Sequence, residues 1–212
     1  MKIAVVCASG HSGRLILEEA LKRGHQVTAF VRNSSKIADL KPTHVVEKDI
    51  MDITYDDVKD CDVIIDAFGA WDKDLLHLHT DTIKHLSDIL SNKKNRLLVV
   101  GGAGSLYTDQ THTQKVYESP DFPPSIYPIS KAQGESFEEL KKRKDVNWTY
   151  LCPACIFDPK GPRTGKYEIG GDEVLQNKSG KSYISYSDYA IAMIDEAENN
   201  KFNQKRFTVV TE

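Results

Sequence analysis

Residues 2–13, KIAVVCASGHSG, hold the first spacing with chemical meaning. An apolar, β-branched run over residues 2–6 predicts a buried strand, and the small residues after it predict a tight turn. Residues 14–23, with Leu15, Ile16, Ala20 and Leu21 in helical period, predict a helix. Gly10 and Gly13 stand where a backbone must come close to a ligand and where a helix must pack on its strand. The first N–H groups of that helix then face outward and can hold a phosphate, with His11 and Ser12 in the turn before it as further cofactor contacts. The stretch is a candidate dinucleotide site; the alternative is a β-α-β unit that merely turns tightly. Written as G-x-x-G-x-x-G, its first position is Cys7.

The next residues of interest follow predicted strands. Arg32 ends a strand over 26–31 and lies 19 residues beyond Gly13, about where an acidic side chain binds the ribose of NAD or an arginine accommodates the 2′-phosphate of NADP. No acidic residue lies between Gln26 and Asn33, so NADP(H) is preferred, with NAD(H) possible and Ser34, Ser35 and Lys36 as further anion donors. Asp49 and Ile50 follow a strand over 43–47, and Phe68 and Gly69 follow one over 62–67. In an open parallel sheet all of these share the rim of one crevice, with Asp49 placed to accept from an adenine amino group and Ile50 and Phe68 to pack near its ring. A strand over 96–101 delivers Gly101, Gly102 and Ser105. Beyond it a proline-bearing stretch over 106–125 is long enough to be a lid or binding segment. A helix over 127–144 follows, although Pro128 should push Tyr127 out of the helical region.

Other groups read more plainly. Cys152-Pro-Ala-Cys155 ends a strand over 147–151 and is either a redox dithiol or two small packed thiols, the latter favoured because no helix follows it. His77, His79 and His85, on an expected helix over 71–92, lack metal-ligand spacing, and no metal is expected. The loop over 157–171 leaves the sixth strand toward the same crevice. Phe157, Arg163, Thr164 and Tyr167 are its candidate substrate contacts, against a plain surface excursion. A strand over 182–185, a helix over 187–199 with Asp188 near its start as a cap, and a closing strand over 206–210 complete the chain.

The elements alternate strand and helix throughout. They predict a single-domain α/β protein: a Rossmann-like, doubly wound, mainly parallel sheet with helices on both faces. At 212 residues, 40% hydrophobic and 28% charged, the chain can bury one good core, and residues 152–212 would form a small substrate-contacting part within it. A net charge of −3 gives no electrostatic reason to expect nucleic acid or an anionic membrane as partner. No apolar run reaches the ~20 residues of a membrane span, and the strand-like residues from Lys2 leave no room for a leader, so a cytoplasmic protein is expected.

The glycine turn, Ser105 and the pair Tyr127-x-x-x-Lys131, in that order, resemble the short-chain dehydrogenase/reductase superfamily. The chain is similar to its small atypical branch, the NmrA-like and biliverdin-reductase-B-like NAD(P)H-binding proteins. VVGGAGSLY, WTYLCPACIFDPKGPRTGKYEIGGD and ISYSDYAIAMIDE resemble the bacterial NADH-flavin reductase group within that branch. The resemblance implies that Gly10 to Gly13 hold a pyrophosphate, Arg32 the adenosine phosphate, Asp49 and Ile50 the adenine, and Phe68 and Gly69 the adjoining ribose. It places Pro153 and Ala154 by the nicotinamide; Cys7 stands where the family has a glycine.

In catalytic members it implies hydride transfer, with Ser105 bonding a substrate carbonyl and Lys131 favouring the phenolate of Tyr127. Alternatively, Tyr127 is a pocket wall and stacking of two rings suffices, with a flavin as substrate rather than prosthetic group. The resulting expectation is an NAD(P)H-dependent oxidoreductase acting on a flavin or other conjugated small molecule, as monomer or homodimer. A non-catalytic redox sensor is the rival. A nucleotide-sugar epimerase or dehydratase would need more than the ~60 residues that follow the sixth strand.

Overall fold

The computed structural model describes residues 1–212. In chain order the first half comprises β1 (Lys2–Val6), α1 (His11–Lys22), β2 (Gln26–Val31), β3 (His44–Glu47), the single turn α2 (Tyr55–Val58), β4 (Val63–Asp66), α3 (Leu78–Ile89) and β5 (Arg96–Val100). The second half comprises α4 (Tyr127–Lys141), β6 (Asn147–Cys152), β7 (Ile156–Asp158), β8 (Tyr167–Gly170), β9 (Tyr183–Ser185), α5 (Tyr186–Asn199) and β10 (Lys205–Thr211).

Eight strands form one sheet in the order β3-β2-β1-β4-β5-β6-β10-β8. Every pair is parallel except the last, where β8 runs antiparallel to β10. The order reverses between β1 and β4, which is where open α/β sheets place their ligands. The apolar strands are buried on both faces: Ile3 and Val5 of β1 point to one layer, Ala4 and Val6 to the other. The first layer is completed by α1 and α5, through Ile16, Leu17 and Ala20 against Tyr189, Met193 and Ile194. The second is completed by α3 and α4, through Ile83 and Leu86 with Phe137 and Leu140. No helix is long and apolar enough to cross a membrane.

Four expectations need correction. The helix expected over 71–92 begins only at Leu78, because the Asp72 carboxylate accepts from the Asp74 amide and diverts the chain into a tighter turn. Pro128 does not exclude Tyr127 from the helix: α4 starts at Tyr127, and a proline in the first turn forfeits only an N–H that has no partner there. β10 does not close the sheet but lies inside it, edged by β8. The stretch over 157–171 is more than an excursion, since it carries β8 and most of β7, and β7 pairs in parallel with β9.

Candidate active site

The turn after β1 is built by two residues. Cys7 takes a left-handed backbone, φ 58°, where a glycine would be unstrained, and its carbonyl accepts from the Gly10 amide at 3.0 Å. A Cβ on Gly13 would collide with that carbonyl and lie 3.2 Å from the Ala67 Cβ, so only glycine lets α1 sit this close to β1 and β4. Gly10 precedes α1 in extended conformation, and no side chain caps the helix. The first N–H groups of α1 therefore open into a cavity of about 570 Å³.

The cavity runs along the carboxyl ends of the strands. Gly10, His11 and Ser12 line one end; Phe68 and Gly69 follow β4, Gly101 and Gly102 follow β5, and Pro153 and Ala154 follow β6. Its far wall is apolar and aromatic: Ile126 at the N-cap of α4 and Ile129 within it, Phe122 and Val116 from the long loop, the exposed Trp71 at the rim, and Phe157 stacked on Tyr186 at 3.8 Å between ring centroids. His79 braces this rim; its Nε2 lies 3.0 Å from the Ala70 carbonyl and its ring stands edge-on to Phe68, with burial holding its pKa down.

Beneath the turn lies Asp66, the last residue of β4 and only 2% exposed. Burial pushes its carboxyl up to about 6, against the opposing pull of the Phe68 amide that donates to it at 2.9 Å. Burial, helped by the Asp66 charge, also raises the Cys7 thiol to about 12. The same cause puts Cys152 at about 12 and raises Cys155; Cys152 is packed in the core and Cys155 lines the cavity, both as free thiols.

Several sequence candidates stand elsewhere. Arg32 is exposed after β2, with no ion pair, but the Ser34 amide beside it donates to Glu47 at 2.7 Å and the Ser35 amide to Asn33 at 2.9 Å. Asp49 accepts from the Met51 amide at 3.0 Å as a turn cap, and Ile50 is buried in the core. Ser105 is buried: its hydroxyl donates to the Gly102 carbonyl, and Arg206 donates to the Ser105 carbonyl at 2.8 Å while lying over the Phe137 ring.

Tyr127 and Lys131 are also outside the cavity. They share the exposed face of α4, Tyr127 edge-on to Tyr117 and Lys131 3.7 Å from Glu135. Arg163, Thr164 and Tyr167 turn instead toward the α1–α5 layer. Arg163 pairs with Glu19 at 2.8 Å, Thr164 donates to Asp188 at 2.7 Å and Tyr167 to Asp195 at 2.5 Å. Asp188 is no simple cap: Ser185 caps α5, and the buried Asp188 carboxylate holds the 164–165 turn through both its amides.

The structure adds residues that the motif reading passed over: Trp71, Phe122, Tyr186 and the α4 stripe Ile126, Ile129, Ser130 and Gln133. That stripe has the spacing i, i+3, i+4, i+7 and is legible as one helical face.

A family model described as NAD(P)H-binding matches residues 7–200. The uncharacterized protein YwnB of Bacillus subtilis is 46% identical over 213 residues, covering 100% of this chain and 99% of that protein. Among solved structures, a Streptococcus pneumoniae protein provisionally named an NADH-flavin reductase is 41% identical, with a TM-score of 0.96 and full coverage of both chains. A Bacteroides thetaiotaomicron protein provisionally named an epimerase is 36% identical, with a TM-score of 0.87 over 100% of this chain and 97% of that one. An uncapped helix end opening at the switch point of a β3-β2-β1-β4-β5-β6 sheet is the architecture such a model describes, and with the match spanning nearly the whole chain, this protein belongs to the NAD(P)H-binding family.

Proposed function

We propose that the chain is an oxidoreductase that uses NAD(P)H to reduce a flavin or another planar conjugated molecule taken up as substrate. The observation that carries this reading is the single continuous cavity, with an open helix N-terminus at one end and an aromatic and apolar wall at the other. The residues present fit a dinucleotide: the uncapped N–H groups of α1 suit a pyrophosphate, and Gly13 lets the helix approach it. When bound, the dinucleotide supplies the hydride. Pro153, Ala154, Gly101 and Gly102 would border its nicotinamide, and Arg32, free of ion pairs, would bind the adenosine 2′-phosphate and so favour NADP(H).

The protein's further part is orientation. Phe122, Trp71 and the Phe157–Tyr186 stack supply aromatic surface against which a flat acceptor can lie. A tyrosine acid is not needed for such an acceptor, whose proton comes from solvent, and Tyr127 and Lys131 lie on the exposed face of α4. The epimerase name borne by the Bacteroides relative is served less well, because epimerisation at a sugar carbon needs a proton-transferring side chain at the substrate.

The test is oxidation of NADPH and of NADH by purified protein, with and without FMN, FAD, riboflavin and a quinone. Acceptor-dependent oxidation, faster with NADPH, supports the reductase and the role of Arg32 together. Tight cofactor binding without oxidation by any acceptor would replace the reductase with a redox sensor.

A further inference from the structure

Two polar side chains interrupt the apolar wall of the cavity. Ser130, 8% exposed, and Gln133, half-buried, follow one another by one turn of α4 and line the same face as Ile126 and Ile129. Neither the Ser130 hydroxyl nor the Gln133 carboxamide makes a hydrogen bond within the protein; neither is sealed off as the unpartnered Ser87 hydroxyl is, and both open into the cavity, where a ligand can reach them.

Their positions are nevertheless tightly built. The Gln133 main-chain carbonyl accepts from the Tyr150 hydroxyl at 3.1 Å and the Ser136 hydroxyl at 2.8 Å, which pins that turn of the helix. The carboxamide lies against Gly102, where a Cβ would strike its oxygen, and the Ser130 side chain lies against Gly104, whose Cβ would come 2.6 Å from the Ser130 Cβ and 2.9 Å from its hydroxyl. The Ser130 Cβ is fixed to the helix backbone, so Gly104 leaves room that Ser130 requires, while at Gly102 the carboxamide rests on an open backbone surface.

A carboxamide offers an acceptor and a donor side by side. That pattern is complementary to the C(=O)–NH edge of a cyclic imide or lactam, and the hydroxyl one turn away suits a neighbouring carbonyl. We infer that Gln133 and Ser130 are specificity-determining residues that select acceptors carrying a cyclic imide or lactam edge, such as the pyrimidine side of an isoalloxazine, over ring systems without one. This rests on the reading above that the aromatic half of the cavity takes the acceptor.

The experiment titrates the full chain, loaded with NADP⁺ so that nothing turns over, with lumiflavin, 3-methyllumiflavin and menadione, read by fluorescence quenching. Methylation at N3 removes the imide donor without changing the ring faces. The wild type is expected to bind lumiflavin about 10-fold or more tighter than its 3-methyl analogue, the factor of one well-made hydrogen bond and its unpaired partner. Gln133→Leu should lower lumiflavin to the level of the 3-methyl compound and leave menadione unchanged; Ser130→Ala should cost lumiflavin roughly 3- to 10-fold.

The wild-type comparison needs no variant and stands if one fails to fold. Equal binding of the two flavins, binding of neither, or a Gln133→Leu loss confined to NADP⁺ itself would overturn the inference; the last would assign the carboxamide to the cofactor. NADPH oxidation with each acceptor separates the two readings. Discrimination in binding without turnover keeps the imide site and removes the reductase, whereas equal turnover of both flavins keeps the reductase and removes the site.

Discussion

Asp66→Asn should stabilise this protein at neutral pH and do nothing for it in acid. The carboxyl rises from 3.8 in an unfolded chain to about 6 in the fold, because burial at the tip of β4 disfavours its charge. Between those two values the folded protein holds a proton that the unfolded chain has lost. Stability from this group is therefore complete below pH 3.8 and disappears as the pH climbs through about 6. At 1.36 kcal/mol per tenfold change in proton affinity, the full loss is about 3 kcal/mol, of which about 0.5 has gone at pH 4, about 1.5 at pH 5 and about 2.5 at pH 6.

Asparagine keeps the oxygen that accepts from the Phe68 amide and carries no charge, so it behaves as the protonated acid at every pH. Thermal melts of both proteins from pH 4 to 8 should diverge as pH rises and run parallel above pH 7. There the variant should melt higher by about 6–12 °C for a chain of this size. The Cys7 thiol, raised to about 12, stays neutral across the range and does not confuse the reading. A gap that is constant with pH would refute the argument, as would a wild type whose advantage grows with pH, which would mean that the carboxylate is held charged by a partner.

Gly13→Ala should destabilise the fold by about 1–3 kcal/mol and weaken NADPH binding, since the new methyl meets the Cys7 carbonyl and α1 must move away; Gly10→Ala, whose Cβ has 3.3 Å to that carbonyl, should change stability far less by urea unfolding. Cys7→Gly should hold or raise stability within about 1 kcal/mol, whereas Cys7→Val, β-branched at φ 58°, should lower it by more than that in the same unfolding curves. Arg32→Ala should weaken NADPH by roughly 10-fold or more and NADH hardly at all in fluorescence titrations; equal losses would remove the phosphate role.

The fold was legible because its signals are local. Buried parallel strands read as short β-branched runs, and the core strands β1, β2, β5 and β6 fall within a residue or so of their expected bounds. What escaped is set by distant partners. β7 and β8 are short and lack a clean alternation; they are strands because β9 and β10 lie beside them. Glu47 reaches the Ser34 amide from β3, so a scan of β2 and its end for acidic residues could not register it. Arg163, Thr164 and Tyr167 have the chemistry of a binding loop, yet their partners Glu19, Asp188 and Asp195 belong to two helices of the opposite layer.

Tyr127 and Lys131 show why spacing alone misleads. An i, i+4 interval states that two residues share a face of a helix, not which face. The phase of α4 is set by Phe137 and Leu140, which are buried against β5 and β6, and by the cavity stripe from Ile126 to Gln133 beside them. Tyr127, Lys131 and Glu135 are left on the solvent side. The signal that does report the cavity face is the glycine run after β5. Gly102 has φ −129°, so no left-handed turn requires a glycine there. A Cβ there would meet the Gln133 carboxamide, the movable end of a long side chain, whereas at Gly101 it would meet the Tyr150 ring and at Gly104 the Ser130 Cβ, neither of which yields as easily. A glycine that its own backbone does not require marks the approach of a side chain from elsewhere in the fold, and here two of the three mark the polar groups of the cavity wall.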